Sequence, residues 1–346
     1  MIDNNQFRGH EQLVYFNDKE SGLKAFIAVH NTVLGPGAGG CRMWPYDNEM
    51  DALNDALRLS RGMSYKNAMA GLPLGGGKAV IIANSKTDKS EELLKAFGRC
   101  VQKMEGKYIT AEDVGMTTED MMIIASETDY IAGLLHGDHA SGDPSPFTAR
   151  GVYNGIRAAV KYKLGKDSLE GLTIAVQGVG HVGLYLCENL HRDGAYILVS
   201  DIVQDHLDKA VNNYGATVIS PDEILSVECD VLSPCALGAV LNDDTIPNLR
   251  TTIIAGGANN QLAEDSHGVG LMDRGVLYAP DYVINAGGII NVSGETSGNY
   301  DLKSINAKVD NIYDTLIHIF ERADHEKRPT NVVADEMAEE IIANAK

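Results

Sequence analysis

Leu172-Thr173-Ile174-Ala175-Val176-Gln177-Gly178-Val179-Gly180-His181-Val182-Gly183 decides the fold. A short buried-type strand runs straight into Gly-x-Gly-x-x-Gly, and Val182, Leu186 and Leu190 then recur at the four-residue spacing of an amphipathic helix. Gly194 stops that helix, Ala195 to Ser200 resumes a strand, and Asp201 closes it 23 residues after Gly178. Strand, turn, helix and strand make one βαβ unit of a parallel sheet.

With 36 glycines in 346 residues a bare glycine match says little, and it is the flanking elements and Asp201 that give this one weight. Gly178 permits the tight turn, Gly180 lets backbone approach a pyrophosphate, and Gly183 lets helix pack on strand. The helix start turns free N–H groups toward the anion. Asp201 can accept from an adenosine ribose hydroxyl and would repel a 2′-phosphate, so NAD is expected over NADP. Val179, His181, Val182 and Ile202 complete the expected cofactor contacts, His181 as a solvated helix-start residue and not a catalyst. The competing reading is a structural corner with a solvated Asp.

Strand-like runs at Cys229–Leu232, Thr251–Ala255 and Gly275–Tyr278 extend this Rossmann-like, doubly wound sheet to about residue 290, behind a helix at Thr148–Tyr162. Upstream, strand-like Lys24–Val29 and Lys78–Ile82 alternate with helix-like Asp51–Met63, Glu91–Met104 and Thr118–Ile131, which predicts another α/β domain. The turn-rich run from Leu134 to Pro146 separates the two. At 346 residues one core is too small. The predicted architecture is α/β, with a substrate and catalytic domain over 1–133, an NAD-binding domain over 134–325, and a cleft between them. Val309–Arg322 and Asp335–Ala345 read as helices, and the chain from about 325 to 346 is expected to return to the first domain.

Composition narrows the class. Hydrophobic residues make 44% of the chain with no apolar run of membrane-spanning length, and the polar start lacks a signal-peptide layout, so no membrane and a cytoplasmic setting are expected. A net charge of -19 repels a phosphate backbone, so no nucleic acid is expected. Cys41, Cys100, Cys187, Cys229 and Cys235 are scattered without a Cys-x-x-Cys pair, as expected of reduced thiols.

The segment Lys66-Asn67-Ala68-Met69-Ala70-Gly71-Leu72-Pro73-Leu74-Gly75-Gly76-Gly77-Lys78 reads as two lysines flanking a glycine-rich bend. A phosphate-binding P-loop needs glycine where Leu72 stands and Ser or Thr where Ala79 stands, so that reading fails. Consecutive glycines let backbone come close to a small ligand, and two ammonium groups in a dry site depress at least one pKa, which suits a general base. Solvated surface lysines are the alternative. Asp113 follows a strand-like run, where α/β sheets carry functional residues, and could exchange protons with a lysine or cap a helix.

Taken together these segments resemble the Glu/Leu/Phe/Val dehydrogenase family, in its branched-chain and aromatic branch, over nearly the whole length. The likeness runs through Leu34–Met43, the lysine segment, Ala111–Gly115, Gly142–Pro146, the glycine turn, Ser233–Gly238, Ala258–Gln261 and Tyr278–Gly288. It implies reversible, NAD-dependent oxidative deamination of an L-amino acid to a 2-oxo acid and ammonia. It further implies that Lys66 holds the substrate carboxylate, Lys78 is the acid/base on water, and Asp113 exchanges a proton with the substrate nitrogen. Thr148 is implied to hold the carboxamide and Cys235-Ala236 to flank the nicotinamide, with Asn259 orienting substrate or cofactor and Asn285 among the cofactor contacts.

In the glutamate branch a lysine in the first glycine loop pairs the distal carboxylate, where this chain has Ala38 beside Gly39 and Gly40. The other pocket positions implied are Met63, Ala111, Ile289 and Val292, all apolar, so a buried carboxylate would stay unpaired and glutamate is disfavoured. Ala111-Glu112-Asp113 looks like the leucine type and Leu72-Pro73 like relatives acting on aromatic substrates, so branched-chain substrates are expected first and phenylalanine second. A catalytically silent NAD-binding regulator is the rival from another class, set against by Lys66, Lys78 and Asp113 together. No metal is expected, the rival being a divalent-ion site at His136, Asp138, His139 and Asp143. Relatives are dimers or larger, so at least a homodimer is expected, without contacts that would need chain beyond Lys346.

Overall fold

The structure is a computed structural model that describes residues 7–134, 142–296 and 300–345. It divides into two compact units, one of residues 1–142, 292–300 and 338–346, the other of residues 143–291 and 301–337.

The first unit holds β1 (Gln12–Asp18), β2 (Leu23–Asn31), β3 (Gly37–Trp44), α1 (Glu49–Met69), β4 (Gly75–Ile82), α2 (Glu91–Gln102), β5 (Tyr108–Glu112) and α3 (Thr118–Ala125). The strands lie in the order β1-β2-β4-β3-β5; β1 and β4 run antiparallel to β2, while β3 runs parallel to β4 and β5. In β2 the pleat sorts the side chains. Leu23, Ala25, Ile27 and Val29 join the core under α2 and α3, whereas Phe26 and Ala28 pack with Ala52, Leu53, Ala56 and Leu57 of α1. Asn48 caps α1 through the Asp51 N–H, and Thr117 with Asp120 forms a capping box on α3.

Three expectations change here. The glycine run between the two lysines is strand and not bend: Lys66 sits on α1, the chain turns at Ala70 and Gly71, and Gly75 to Gly77 open β4, with Lys78 inside the strand. The glycines face protein and not a ligand, because a Cβ on Gly76 would meet Ser64 Oγ at 2.2 Å and the Ser60 carbonyl at 2.3 Å, and one on Gly77 would meet Tyr108 at 2.6 Å. Gly37 to Cys41, read as loop, is likewise strand, and Gly39 has room only for hydrogen, since a Cβ would lie 2.0 Å from the Gly77 carbonyl. The helix expected through Ile131 ends at Ala125; Thr110 N–H bonds to Tyr130 O at 3.0 Å and Ala132 N–H to Thr110 O at 2.9 Å, which draws the segment alongside β5.

The second unit runs α4 (Ser145–Leu164), β6 (Thr173–Gln177), α5 (His181–Arg192), β7 (Tyr196–Ser200), α6 (Gln204–Tyr214), β8 (Thr217–Val218), β9 (Val231–Pro234), β10 (Ile253–Ile254), α7 (His267–Asp273), β11 (Leu277–Tyr278) and α8 (Asp281–Ile284). After α9 (Gly287–Thr296) come α10 (Leu302–Asp310), α11 (Ile312–Glu326) and α12 (Thr330–Asn344). The sheet is all-parallel in the order β11-β10-β9-β6-β7-β8, the doubly wound order whose direction reverses between β6 and β9. It ends at Tyr278, short of the expected 290. Of the C-terminal segment, residues 338–346 group with the first unit, where Tyr65 OH donates to Glu339 at 2.5 Å.

Candidate active site

In the first unit the predicted residues converge on the middle of the sheet. Gly40 of β3 pairs with Ala111 of β5, and Ala38 with Gly76 and Ile109. A Cβ on Gly40 would come 2.7 Å from Asp113 Cβ, so the missing side chain is what lets Asp113 settle after β5. There Asp113 Oδ2 meets Lys78 Nζ at 2.5 Å, with the lysine 8% and the aspartate 19% exposed. Burial works to raise the Asp113 carboxyl, but Lys78 and Arg42 outweigh it and hold it at about 2, so it is an anion at neutral pH. Met63 of α1 packs toward Gly39, and Lys66, three residues on, is half-buried on the same helix face.

In the second unit the turn has the predicted form. Gly178 stands at φ 91°, and a Cβ on Gly183 would lie 2.2 Å from the Gly178 carbonyl, so helix and strand touch only because both lack side chains. A Cβ on Gly180 would meet nothing within 4 Å, which leaves open space before the first N–H groups of α5. The turn therefore fits a pyrophosphate. Asp201 Oδ2 accepts the Val179 N–H at 2.8 Å and Oδ1 the Val203 N–H at 2.9 Å; burial works against its charge, but these bonds and His206 keep its carboxyl below the usual range. Ile202 beside it is 93% exposed, His181 is exposed at the helix start, and Val182 is half-buried, with Val179 fully buried.

Cys235 N–H bonds to the Gln177 carbonyl at 2.7 Å and a Cβ on Gly178 would touch Ala236, so Cys235-Ala236 lies along the turn. Burial pushes the Cys235 thiol up, which leaves it neutral. Asn285 donates to Asn259 Oδ1 at 2.7 Å and to Gly257 O at 3.1 Å, while its own Oδ1 is buried without a partner. An orphaned acceptor of this kind suits an amide-bearing ligand. Thr148 Oγ1 donates to Pro144 O at 3.2 Å and would meet a Cβ on Gly288 at 2.8 Å. Ile289 and Val292 are half-buried on α9, on either side of the unit division.

Sequence reasoning missed Arg42, Asp55, Gln177 and His206. Arg42 lies within the quoted glycine segment, but its partners are 13 and 71 residues away. Gln177 Oε1 is buried and unpartnered beside the turn, and His206 stands 3.5 Å from Asp201. Among the described residues no group of three or more His, Cys, Asp or Glu could hold a metal; His136, Asp138 and His139 lie outside the described residues. Among the same residues no helix is long and apolar enough to cross a membrane, and the five cysteines are unpaired.

Residues 10–130 match the Glu/Leu/Phe/Val dehydrogenase dimerisation domain, and residues 201–345 match Glutamate/Leucine/Phenylalanine/Valine dehydrogenase. Leucine dehydrogenase of Thermoactinomyces intermedius is 54% identical over 333 residues, covering 96% of this chain and 91% of that enzyme. Valine dehydrogenase of Streptomyces albus is 47% identical, covering 98% of this chain and 93% of its own. The crystal structure of L-tryptophan dehydrogenase from Nostoc punctiforme superposes with a TM-score of 0.86 at 47% identity, over 97% of each chain. With both halves matched and about half of all positions shared with such enzymes, the chain belongs to the Glu/Leu/Phe/Val dehydrogenase family, in its leucine branch.

Proposed function

We propose that this chain catalyses the reversible oxidative deamination of an apolar L-amino acid, leucine, valine or isoleucine, to its 2-oxo acid and ammonia, with NAD as the acceptor. Amino-acid dehydrogenase activity and a nicotinamide cofactor follow from family membership. The observation that carries the finer reading is the 2.5 Å contact between Lys78 Nζ and Asp113 Oδ2, which we read as a proton-exchanging pair beside the glycine and alanine positions of β3.

A dinucleotide bound at the Gly178–Gly183 turn would supply the hydride acceptor. Lys66 pairs with the α-carboxylate and orients the molecule by that end. Asp113 takes a proton from the substrate ammonium group, Lys78 takes one from the water that adds to the iminium carbon, and Asp113 gives its proton back to the nitrogen as the carbon–nitrogen bond breaks and the hydroxyl proton passes to solvent, leaving the 2-oxo acid and ammonia. Ala38, Gly39, Gly40, Met63, Ala111 and Val292, all of the first unit, are the residues we assign to the side chain, and beside them an unpaired glutamate carboxylate would cost several kcal/mol, on the order of 2–7. Gly178 to Gly183 hold the pyrophosphate, Asp201 and Ile202 the adenosine end, and Thr148, Cys235, Ala236, Asn259 and Asn285 the nicotinamide end. Asp201 keeps unused acceptor capacity for a ribose hydroxyl, and its negative charge opposes a 2′-phosphate.

Leu72-Pro73 and the likeness to a tryptophan dehydrogenase favour a second reading, the same reaction on an aromatic amino acid. Comparing kcat/KM for leucine, valine, isoleucine, phenylalanine, tryptophan and glutamate decides between them. Aliphatic substrates should lead; an aromatic lead would establish the second reading, and a glutamate lead would overturn the apolar pocket. The chain is further read as a homo-oligomer of at least two copies, since residues 10–130 match a dimerisation domain, and light scattering on the eluted protein tests that.

A further inference from the structure

The pair Lys78–Asp113 is one link in a longer run of alternating charge. Arg42 on β3 donates from Nε to Asp113 Oδ2 at 3.3 Å and from Nη1 to Asp55 Oδ2 at 2.8 Å. Asp55, on α1, also accepts from Tyr46 OH at 2.5 Å and from Arg58 Nη2 at 2.9 Å. Arg42 and Asp55 are 21% and 14% exposed, so water screens these contacts less than it would at the surface.

Lys78 and Arg42 meet the same oxygen of Asp113, but they differ in kind. The charge on a lysine that carries protons comes and goes. A guanidinium is planar and stays charged, and this one is pinned at its far side by Asp55. We propose that Arg42, clamped by Asp55 and Tyr46, is the positioning residue of the site: it holds the Asp113 carboxylate facing Lys78 through the steps in which Lys78 is neutral. The inference rests on the proposed proton-carrying roles of Lys78 and Asp113.

The groups that act on Asp113 leave this task to Arg42. Lys78 on β4 and Arg42 on β3 are the cations whose charge favours the anion. Cys41 on β3 and Tyr108 on β5 are neutral, both pushed up by burial, and Glu112 on β5 is of like charge. Without Arg42, a neutral Lys78 would leave Asp113 as a partly buried carboxylate with no cation beside it. It would then already hold a proton in the resting site and could no longer take one from the substrate nitrogen.

The test compares Arg42→Met, Arg42→Lys, Asp113→Asn and the R42M/D113N double variant in pH profiles of kcat at saturating amino acid and NAD, with NADH binding and thermal melting alongside. R42M should lower kcat at neutral pH about tenfold or more and move the acid limb up by roughly one pH unit or more, with NADH binding unchanged. R42K should recover part of the loss, and in the D113N background R42M should cost less than about twofold. An equal cost in both backgrounds, or an acid limb that stays in place, overturns the proposal. D113N with wild-type turnover and pH profile would overturn the role of Asp113 itself, and the proposal with it. If R42M shows no melting transition, Tyr46→Phe and Asp55→Asn loosen the clamp while keeping the guanidinium; they should shift the acid limb the same way, and its staying fixed overturns the inference.

Discussion

Gly40→Ala puts one methyl group where strand packing meets the proposed Lys78–Asp113 pair. Its Cβ would stand 2.6 Å from the Glu112 carbonyl oxygen and 2.7 Å from Asp113 Cβ. Ordinary contact begins at 3.4 Å, so the segment carrying Asp113 must retreat by about 0.7 Å, and neither neighbour is the loose end of a flexible side chain. Overpacking of this kind costs about 1–3 kcal/mol. The same retreat carries the carboxylate away from Lys78 Nζ, now at 2.5 Å, and a misplacement near 1 Å costs roughly a hundredfold in rate. The expected variant melts a few degrees lower, binds NADH like the wild type, and turns over the amino acid some 30- to 100-fold more slowly at saturation. NADH absorbance, a fluorescence titration with NADH and a thermal melt read all three. Wild-type kcat together with a wild-type melt would refute the reasoning, because it would show that the contact between β3 and β5 does not set the Lys78–Asp113 geometry.

Gly180→Ala should do the reverse: φ is -67° and the methyl meets nothing, so the melt stays put while NADH binding weakens about tenfold or more; unchanged binding would contradict the pyrophosphate assignment. Asp201→Ala should raise the NADP-to-NAD ratio of kcat/KM by about tenfold or more, and an unmoved ratio would remove Asp201 from cofactor choice. Acid should weaken the fold through His30, which burial and the neighbouring His10 depress from 6.5 to about 4. Between those values the unfolded chain binds the extra proton, so stability is full above about pH 6.5 and falls as pH drops toward 4, by up to about 3 kcal/mol before solvent screening trims it. Urea unfolding at several pH values checks this, and His30→Gln with an undiminished pH slope would count against it.

What was legible in the sequence was local. The turn at Gly178 could be read because a positive φ, an open helix start and an acidic residue after the next strand are all specified within one βαβ unit. The glycine strands could not be read that way. Glycine has no strand preference, and Gly39, Gly76 and Gly77 must be glycine because Met63, Ser64 and Tyr108, packed onto them from other elements, occupy the space a side chain would need. The end of α3 was lost for the same reason, since Tyr130 and Ala132 are held by Thr110 and not by their own helix. Lys78 and Asp113 were found as residue types, but their contact, and Arg42 behind it, depend on pairing β3 with both β4 and β5.

The central claim is that Lys78 performs the proton transfers of an amino-acid dehydrogenase. Its most direct test is Lys78→Ala, assayed for NADH formation from L-leucine and NAD with NADH binding measured on the same sample. Turnover should fall by roughly 100- to 10,000-fold with NADH binding within about twofold of wild type. Turnover within a few-fold of wild type would contradict the account.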